Sequence, residues 1–424
     1  SSRSSLSSLA DEREWNRSTP AASQSALLIR SHSQGWARCF ELHPDWPSPR
    51  LSAPDEVLVR NLTMGLNPVD WKSLAYRFGI ERFPWVLGRD VCGVVESVGE
   101  AVENVKVGDR VWTCSDSRDI RAGAYQAKSV HKAFTLGKIP DRISDDDAAT
   151  IGTGLVTAAV ALYWFFGIER ARETGAHVSP TLAPSRHTRW LLIFGGGAVT
   201  GLYALQLAHL SASNVKVLCV ASPSNFAYLQ SLGADACIDR FLSSEAILHS
   251  VRDITGQEGV VDWALDCVGS STAALCQEIL STSRRALGEG EGQEEAGQLI
   301  CLAGNPKRPR EEEEVEKSRA AEPAAPRAIT IHRISFSTTY YSSQPFTSQL
   351  LQDVHDLLAC GSLRTVQPLI IQDGLAGVRK GLEMLRDGEC PRTRKLVVRM
   401  EETPKDLEVT VLGQKEELGW NGCV

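Results

Sequence analysis

The chain has 424 residues, enough for two domains of ordinary size with one core each. Apolar residues make up 42% and charged residues 23%. That globular balance, a net charge of −7 and the lack of a basic stripe exclude a nucleic-acid surface. No apolar run is long enough to span a bilayer, and the eleven cysteines, with no Cys-x-x-Cys pair, read as reduced core thiols of a cytoplasmic protein.

Residues 1–25 are rich in Ser and Arg and read as a disordered leader. Ordered sequence begins near Ala26. Short β-like runs alternate with Pro-rich turns up to Arg60, and Glu56 to Arg60 alternates with period two, as a half-buried strand does. Asp90 to Trp112 holds two more strands, with Gly108-Asp109 as the turn before the second. The N-terminal third is therefore expected to be a β-rich barrel.

Ala148 to Phe166 is apolar over the length of a buried helix, and residues 169–189 are polar, hold two prolines and read as a loop. Trp190 to Phe194 is a continuous apolar run of the parallel-strand type. Glycines, an apolar helix from Gly201 to Leu210 and a strand from Val215 to Val220 follow, which together make a βαβ unit. Phe226 to Leu232 suits a helix, and Val260 to Val268 and Leu299 to Ala303 suit strands. Residues 288–298 and 307–326 are low-complexity inserts, the second carrying Glu311 to Glu314. Such segments bury too little apolar area to offset ordering entropy. A helix from Leu350 to Ala359 leads to a closing strand, Lys395 to Arg399.

The most informative stretch runs from Leu191 to Gly201. Gly195, Gly196, Gly197 and Gly201 follow a strand and open a helix, the context a dinucleotide fingerprint needs. Glycines let the backbone turn sharply against a pyrophosphate, and the helix N-terminus favours its charge. Ala198 stands where a strict G-x-G-x-x-G has its middle glycine. An NAD site places an acid at the end of the second strand to bind the ribose hydroxyls. Here Val220-Ala221 is followed by Ser222-Pro223-Ser224-Asn225, which offers three hydrogen-bonding side chains and no acid. Arg240, after the next strand, is placed either to supply a charge to a 2′-phosphate or to serve as a solvated surface charge.

These features occur together in the medium-chain dehydrogenase/reductases, which the chain resembles. Asn67-Pro68-Val69-Asp70-Trp71-Lys72 is similar to the Asn-Pro-x-Asp segment of quinone oxidoreductases and enoyl reductases. Gly88-Arg89-Asp90-Val91-Cys92-Gly93 with Gly99 and Val107 to Val111 looks like the catalytic-domain signature. Ala148 to Leu162, Leu229 to Asp235, Asp266 to Gly269 and Lys395 to Val398 match later landmarks in order. The glycine turn with Ser222 to Asn225 resembles, more narrowly, the fungal trans-acting enoyl reductases that partner polyketide synthases.

The resemblance implies an α/β fold: a Rossmann doubly wound parallel sheet inserted into a GroES-like β-barrel. The GroES-like domain would take residues 26–165 and the Rossmann domain 166–345. Residues 346–400 would return to the first domain, and 401–424 would be a C-terminal extension. The cofactor implied is NADPH. Asn67, Val69, Asp70, Trp71, Lys72, Thr150 and Thr157 would border its nicotinamide-ribose end. Gly195, Gly196, Gly197, Ala198, Val199, Thr200, Gly201, Ser222, Pro223, Ser224 and Asn225 would hold the phosphates, and Lys395 with Leu396 would complete the site. Zinc-dependent members use a Cys and a His-Glu pair where this chain has Asn67 and Arg89-Asp90, so no metal site is expected. The implied reaction is reduction of an activated C=C. Lys72, Thr157 and Tyr76 are the groups available to its carbonyl oxygen or proton, and the substrate is small or carrier-bound, for a monomer or homodimer. A quinone or enone reductase of small molecules and a non-catalytic NADPH-binding interaction module remain alternatives.

Overall fold

The computed structural model describes residues 22–31, 36–170, 188–211, 215–256, 259–283, 295–307, 327–405 and 408–412. Most of the leader, of the 169–189 loop, of both inserts and of the C-terminal extension lies outside these residues. The first ordered strand, β1 (Ser23–Ile29), starts before the boundary expected at Ala26. Gln24 accounts for the difference: its Nε2 donates to Gln126 Oε1 at 2.9 Å, tying the strand's first turn to the barrel.

β2 (Phe40–Pro47), β3 (Glu56–Gly65), β4 (Trp85–Val86), β5 (Asp90–Val98), β6 (Arg110–Cys114), β7 (Lys128–Lys132) and β8 (Gly137–Lys138) follow. β2 alternates in its first half, as an antiparallel strand with one wet face does, whereas β3 and β5 are buried over most of their lengths. β3 is the hub, pairing antiparallel with both β5 and β7. A single helix interrupts them, α1 (Pro68–Ala75), with Pro68 at its first turn, where the missing N–H costs nothing.

The crossover to the second sheet is α2 (Gly152–Ala159), continued as a π-helix over Val160–Phe165. Its small residues are buried all round, so it sits between the two sheets rather than on a surface. The second sheet is six-stranded and parallel, in the order β11-β10-β9-β12-β13-β14. Its strands are β9 (Arg189–Phe194), β10 (Lys216–Ala221), β11 (Ala236–Asp239), β12 (Val260–Asp266), β13 (Gly297–Cys301) and β14 (Ile329–His332). β9 and β12 are buried on both faces, which is why they read as unbroken apolar runs. The helices α3 (Val199–His209), α4 (Phe226–Ser231), α5 (Ser244–Thr255) and α6 (Ser270–Thr282) connect these strands.

After α7 (Gln344–Cys360) the chain returns to the first sheet. β15 (Gln367–Ile370) and β16 (Arg394–Arg399) join it beside β3, with α8 (Val378–Arg386) between them. The C-terminal extension is ordered in part: β17 (Thr410–Val411) pairs with β2, and Leu412 is buried in the barrel core. The fold is thus a doubly wound parallel sheet inserted into a GroES-like barrel. Among the described residues, no helix is long and apolar enough to cross a membrane.

Candidate functional site

The glycine turn joins β9 to α3. Gly195 has φ +89°, a conformation that favours glycine, and its N–H donates to Val220 O at 2.9 Å. Gly201 lies behind it on α3, where a Cβ would stand 2.5 Å from Gly195 O. The helix therefore touches the turn only because that side chain is missing. Gly196 packs against Cys219 and Leu229 for the same purpose.

The turn forms one wall of a cavity of about 320 Å³. Gly195, Gly197, Ala198, Ser222, Asn225 and Arg240 line it, as do Cys267 and Val268. Gly196 and Gly201 buttress the turn from behind, while Val199 and Thr200 begin α3. Pro223 and Ser224 are exposed on the 3₁₀ turn that follows β10. Arg240 donates from Nε to Ser222 Oγ at 2.8 Å, so the two hold each other at the end of β10. Among the described residues, no carboxylate lines the cavity. The turn after β12 is shaped by Asp266, which accepts from Thr272 Oγ1 at 2.6 Å and Gly269 N at 3.0 Å. Burial raises the Asp266 carboxyl to about 6.

Arg392 also lines the cavity and was not anticipated from sequence. It precedes β16, and the next residue's N–H, from Thr393, donates to Gly197 O at 2.9 Å. The only available signal was the basic run Arg392 to Lys395 ahead of the closing strand. A linear reading cannot bring that run to a glycine turn nearly two hundred positions away.

The remaining expected residues form a second group, outside this cavity's lining. Asp90, fully buried on β5, accepts from Thr153 N at 2.6 Å and Thr153 Oγ1 at 2.5 Å, which anchors the first turn of α2. Its other oxygen accepts from Lys395 Nζ at 2.7 Å. Lys395 donates as well to Asn67 Oδ1 at 2.5 Å. One ammonium thus ties together β5, β16 and the start of α1. Asp70 accepts from Tyr125 Oη at 2.8 Å and Asn67 N at 2.9 Å, and its full burial raises the carboxyl to about 6.

Lys72 is half-buried beside the Trp71 ring, 5.8 Å from its centroid, and desolvation lowers its ammonium below the usual range. Its ammonium makes no hydrogen bond or ion pair among the described residues, while its carbonyl accepts from Tyr76 N at 2.8 Å. Val69 accepts at its carbonyl from Ser73 Oγ within α1. Thr150 is buried and donates to Asp147 O, and Thr157 donates to Thr153 O inside its own helix at 2.7 Å. Tyr76 is 67% exposed at the end of α1. Leu396 faces the barrel core, so of the pair only Lys395 belongs to this polar group. Among the described residues no cluster of three or more His, Cys, Asp or Glu is placed to hold a metal ion.

Residues 53–161 match the alcohol dehydrogenase GroES-like domain family. The trans-enoyl reductase milB of Cordyceps militaris is 32% identical over 234 residues, 54% of this chain and 60% of the relative. The trans-enoyl reductase buaC of Petromyces alliaceus is 29% identical over 82% of this chain and 91% of its own length. Among solved structures, an alcohol dehydrogenase superfamily protein from Novosphingobium aromaticivorans matches with a TM-score of 0.66 at 20% identity, covering 88% of this chain and 99% of that one. The NADPH complex of Escherichia coli quinone oxidoreductase matches with a TM-score of 0.64 at 19% identity over the same shares of the two chains. Residues 53–161 thus carry the GroES-like domain, and over a longer span the chain is similar to trans-enoyl reductases in sequence and to alcohol dehydrogenase superfamily and quinone oxidoreductase structures in fold.

Proposed function

We propose that the chain is an NADPH-dependent oxidoreductase that reduces the C=C bond of an α,β-unsaturated carbonyl without a metal. One observation carries the cofactor assignment: a cavity walled by a glycine turn and lined by Arg240 and Arg392, with no carboxylate among its described residues. The glycines leave room for a pyrophosphate, and the guanidinium held by Ser222 suits a 2′-phosphate that an acid would repel. Gly195 to Ala198 and Arg392 would hold the phosphates, and Ser222, Asn225 and Arg240 the adenosine ribose. When bound, the reduced nicotinamide supplies a hydride; the protein supplies orientation and a water-poor cleft.

The C=C assignment is supported by the relatives, which are named trans-enoyl reductases. Lys72 is a cation on α1, where it would orient substrate or cofactor. Thr157 spends its proton on its own helix, and Tyr76 stands in solvent, so neither is a strong proton donor here. Protonation of the α-carbon by water fits this arrangement. A carrier-bound substrate presented by a polyketide synthase is the partner that a trans-acting enoyl reductase would require.

A screen of NADPH consumption across enoyl thioesters, enones and quinones tests the assignment. Turnover of thioesters and enones, insensitive to chelators, with NADPH bound more tightly than NADH, is the expected result. Turnover of quinones alone would make the protein a quinone reductase. NADPH binding without turnover would leave a binding module.

A further inference from the structure

The cofactor cavity takes its walls from both halves of the molecule. Among the described residues that line it, all but Arg392 lie between Phe194 and Leu275, in the second sheet and its connections. Arg392 stands just ahead of β16, a strand of the first sheet. The two arginines of the cavity are therefore held from opposite sides. Arg240 is fixed within the second half, by its bond to Ser222 and by the Phe241 ring, whose centroid is 4.5 Å from the guanidinium carbon. The Arg392 guanidinium makes no hydrogen bond or ion pair among the described residues. Its backbone is pinned, since its carbonyl accepts from Thr393 Oγ1 at 2.6 Å.

The next residue carries backbone strain. Thr393 has φ +63°, a left-handed conformation that crowds a β-branched side chain and costs free energy. Its surroundings hold it there. The Thr393 N–H donates to Gly197 O at 2.9 Å, across the boundary between the halves. A Cβ on Gly197 would stand 3.6 Å from Arg392 Cβ, so the two backbones run side by side. Two residues further on, Lys395 donates to Asp90 and Asn67. Asn67 caps α1, the helix that carries Lys72, and Asp90 holds the first turn of α2 through Thr153. Four consecutive residues thus join the glycine turn to the starts of both helices.

We propose that Arg392 is a positioning residue: it grips the cofactor pyrophosphate from the barrel side and sets the nicotinamide in register with the groups on α1 and α2. The inference rests on the reductase assignment above and deepens it by separating the two arginines. Arg240 reads the 2′-phosphate and supplies affinity and cofactor choice. Arg392 supplies alignment. Hydride transfer needs its donor and acceptor carbons about 3–3.5 Å apart, and a misplacement of about 1 Å costs about a hundredfold in rate. A cofactor gripped by the second sheet alone is free to tilt against the barrel. One gripped by Arg392 as well is not, because the backbone there is bonded to both halves. The planar fork of a guanidinium fixes a diphosphate's direction as well as attracting its charge.

The test uses Arg392→Met, Arg392→Lys and Arg240→Met in the full chain. In equilibrium titrations Arg392→Met should bind NADPH and NADH about tenfold more weakly and by the same factor, since both carry the pyrophosphate. Arg240→Met should lose affinity for NADPH and spare NADH. At saturating NADPH, kcat on an enoyl thioester should fall about tenfold or more in Arg392→Met, whereas the loss in Arg240→Met should lie in KM for NADPH. Arg392→Lys should recover affinity more than kcat, because a point charge attracts phosphate without orienting it. Thr393→Pro, which cannot take the left-handed φ and lacks the N–H, should reproduce the kcat loss with Arg392 still present. Hydrogen exchange reads the register without turnover. NADPH should slow exchange at residues 67–72 and 153–157 in the parent, and saturating NADPH should fail to do so in Arg392→Met. Arg392 is exposed, so an unchanged Tm without cofactor separates these effects from unfolding. Unchanged kcat or unchanged protection in Arg392→Met at saturating NADPH overturns the proposal. So does a loss of NADPH affinity that spares NADH, which would assign Arg392 to the 2′-phosphate. If the parent reduces no acceptor, the reductase assignment fails, and the exchange experiment still decides whether Arg392 aligns the cofactor.

Discussion

Lys72 and Lys395 show how one residue type takes two roles through its surroundings. Lys72 is half-buried over the Trp71 ring, and its ammonium has no hydrogen-bond acceptor among the described residues. Lys72→Ala should lower kcat/KM by about tenfold or more, about 1.4 kcal/mol of transition-state stabilisation, with the fold intact. Parent-like turnover of enones and thioesters would remove it from the mechanism. Lys395 is 3% exposed and spent on Asp90 and Asn67. Lys395→Met strands a buried carboxylate and should cost about 3–5 kcal/mol in denaturant unfolding, much of it recovered in Asp90→Asn/Lys395→Met. Equal losses in the single and double variants would contradict this account. Asp70 gives a pH signature. Its folded carboxyl, at about 6, holds a proton that the unfolded chain has lost, so this group makes stability fall as pH rises. The fall spans about pH 4 to 6, starting at the ordinary carboxylate value. Asp70→Asn should make that fall shallower in urea titrations across the interval; an unchanged slope would place the proton elsewhere. Asp266, raised to about 6 by its own burial, keeps part of the slope in either case.

At the scale of elements, the strand, turn and helix around Gly195 were legible because local rules and tertiary structure agree there. β9 is buried on both faces and reads as an apolar run, and the glycines sit where the backbone needs them. Gly201→Ala should push α3 off the turn, weakening NADPH binding about tenfold or more and lowering Tm. Retained affinity would show that the turn adapts. Three helices were less legible. α5 and α6 lie between recognised strands but begin with Ser rather than with an apolar repeat, and α8 is only nine residues long. The long buried helix expected over Ala148 to Phe166 is shorter and continues as a π-helix, because its packing partners, not its composition, set its pitch. Of the site, the glycine turn and the acid-free end of β10 could be read directly. Arg392 could not, since it acquires meaning only from residues distant in the chain.

For the whole molecule, the long insert is bracketed by two fixed points on one helix. Lys307 N donates to Ser270 O and Arg327 N to Ser281 O, at opposite ends of α6. Eleven residues of helix separate those carbonyls by about 17 Å. Replacing residues 308–326 by about eight flexible residues should therefore leave Tm and NADPH affinity nearly unchanged. A large loss of either would mean that the insert contributes to the fold. The Asp90–Lys395 pair has a consequence for synthesis. Its partners are 305 positions apart, so at a ribosomal rate of about 5–20 residues per second Asp90 emerges roughly 15–60 seconds before its counter-ion exists. Through that interval the nascent barrel lacks both β16 and the cation that β5 needs in order to bury its carboxylate. The N-terminal segment must wait, hydrated and incomplete, and the protein's first sheet is among the last parts of it to close.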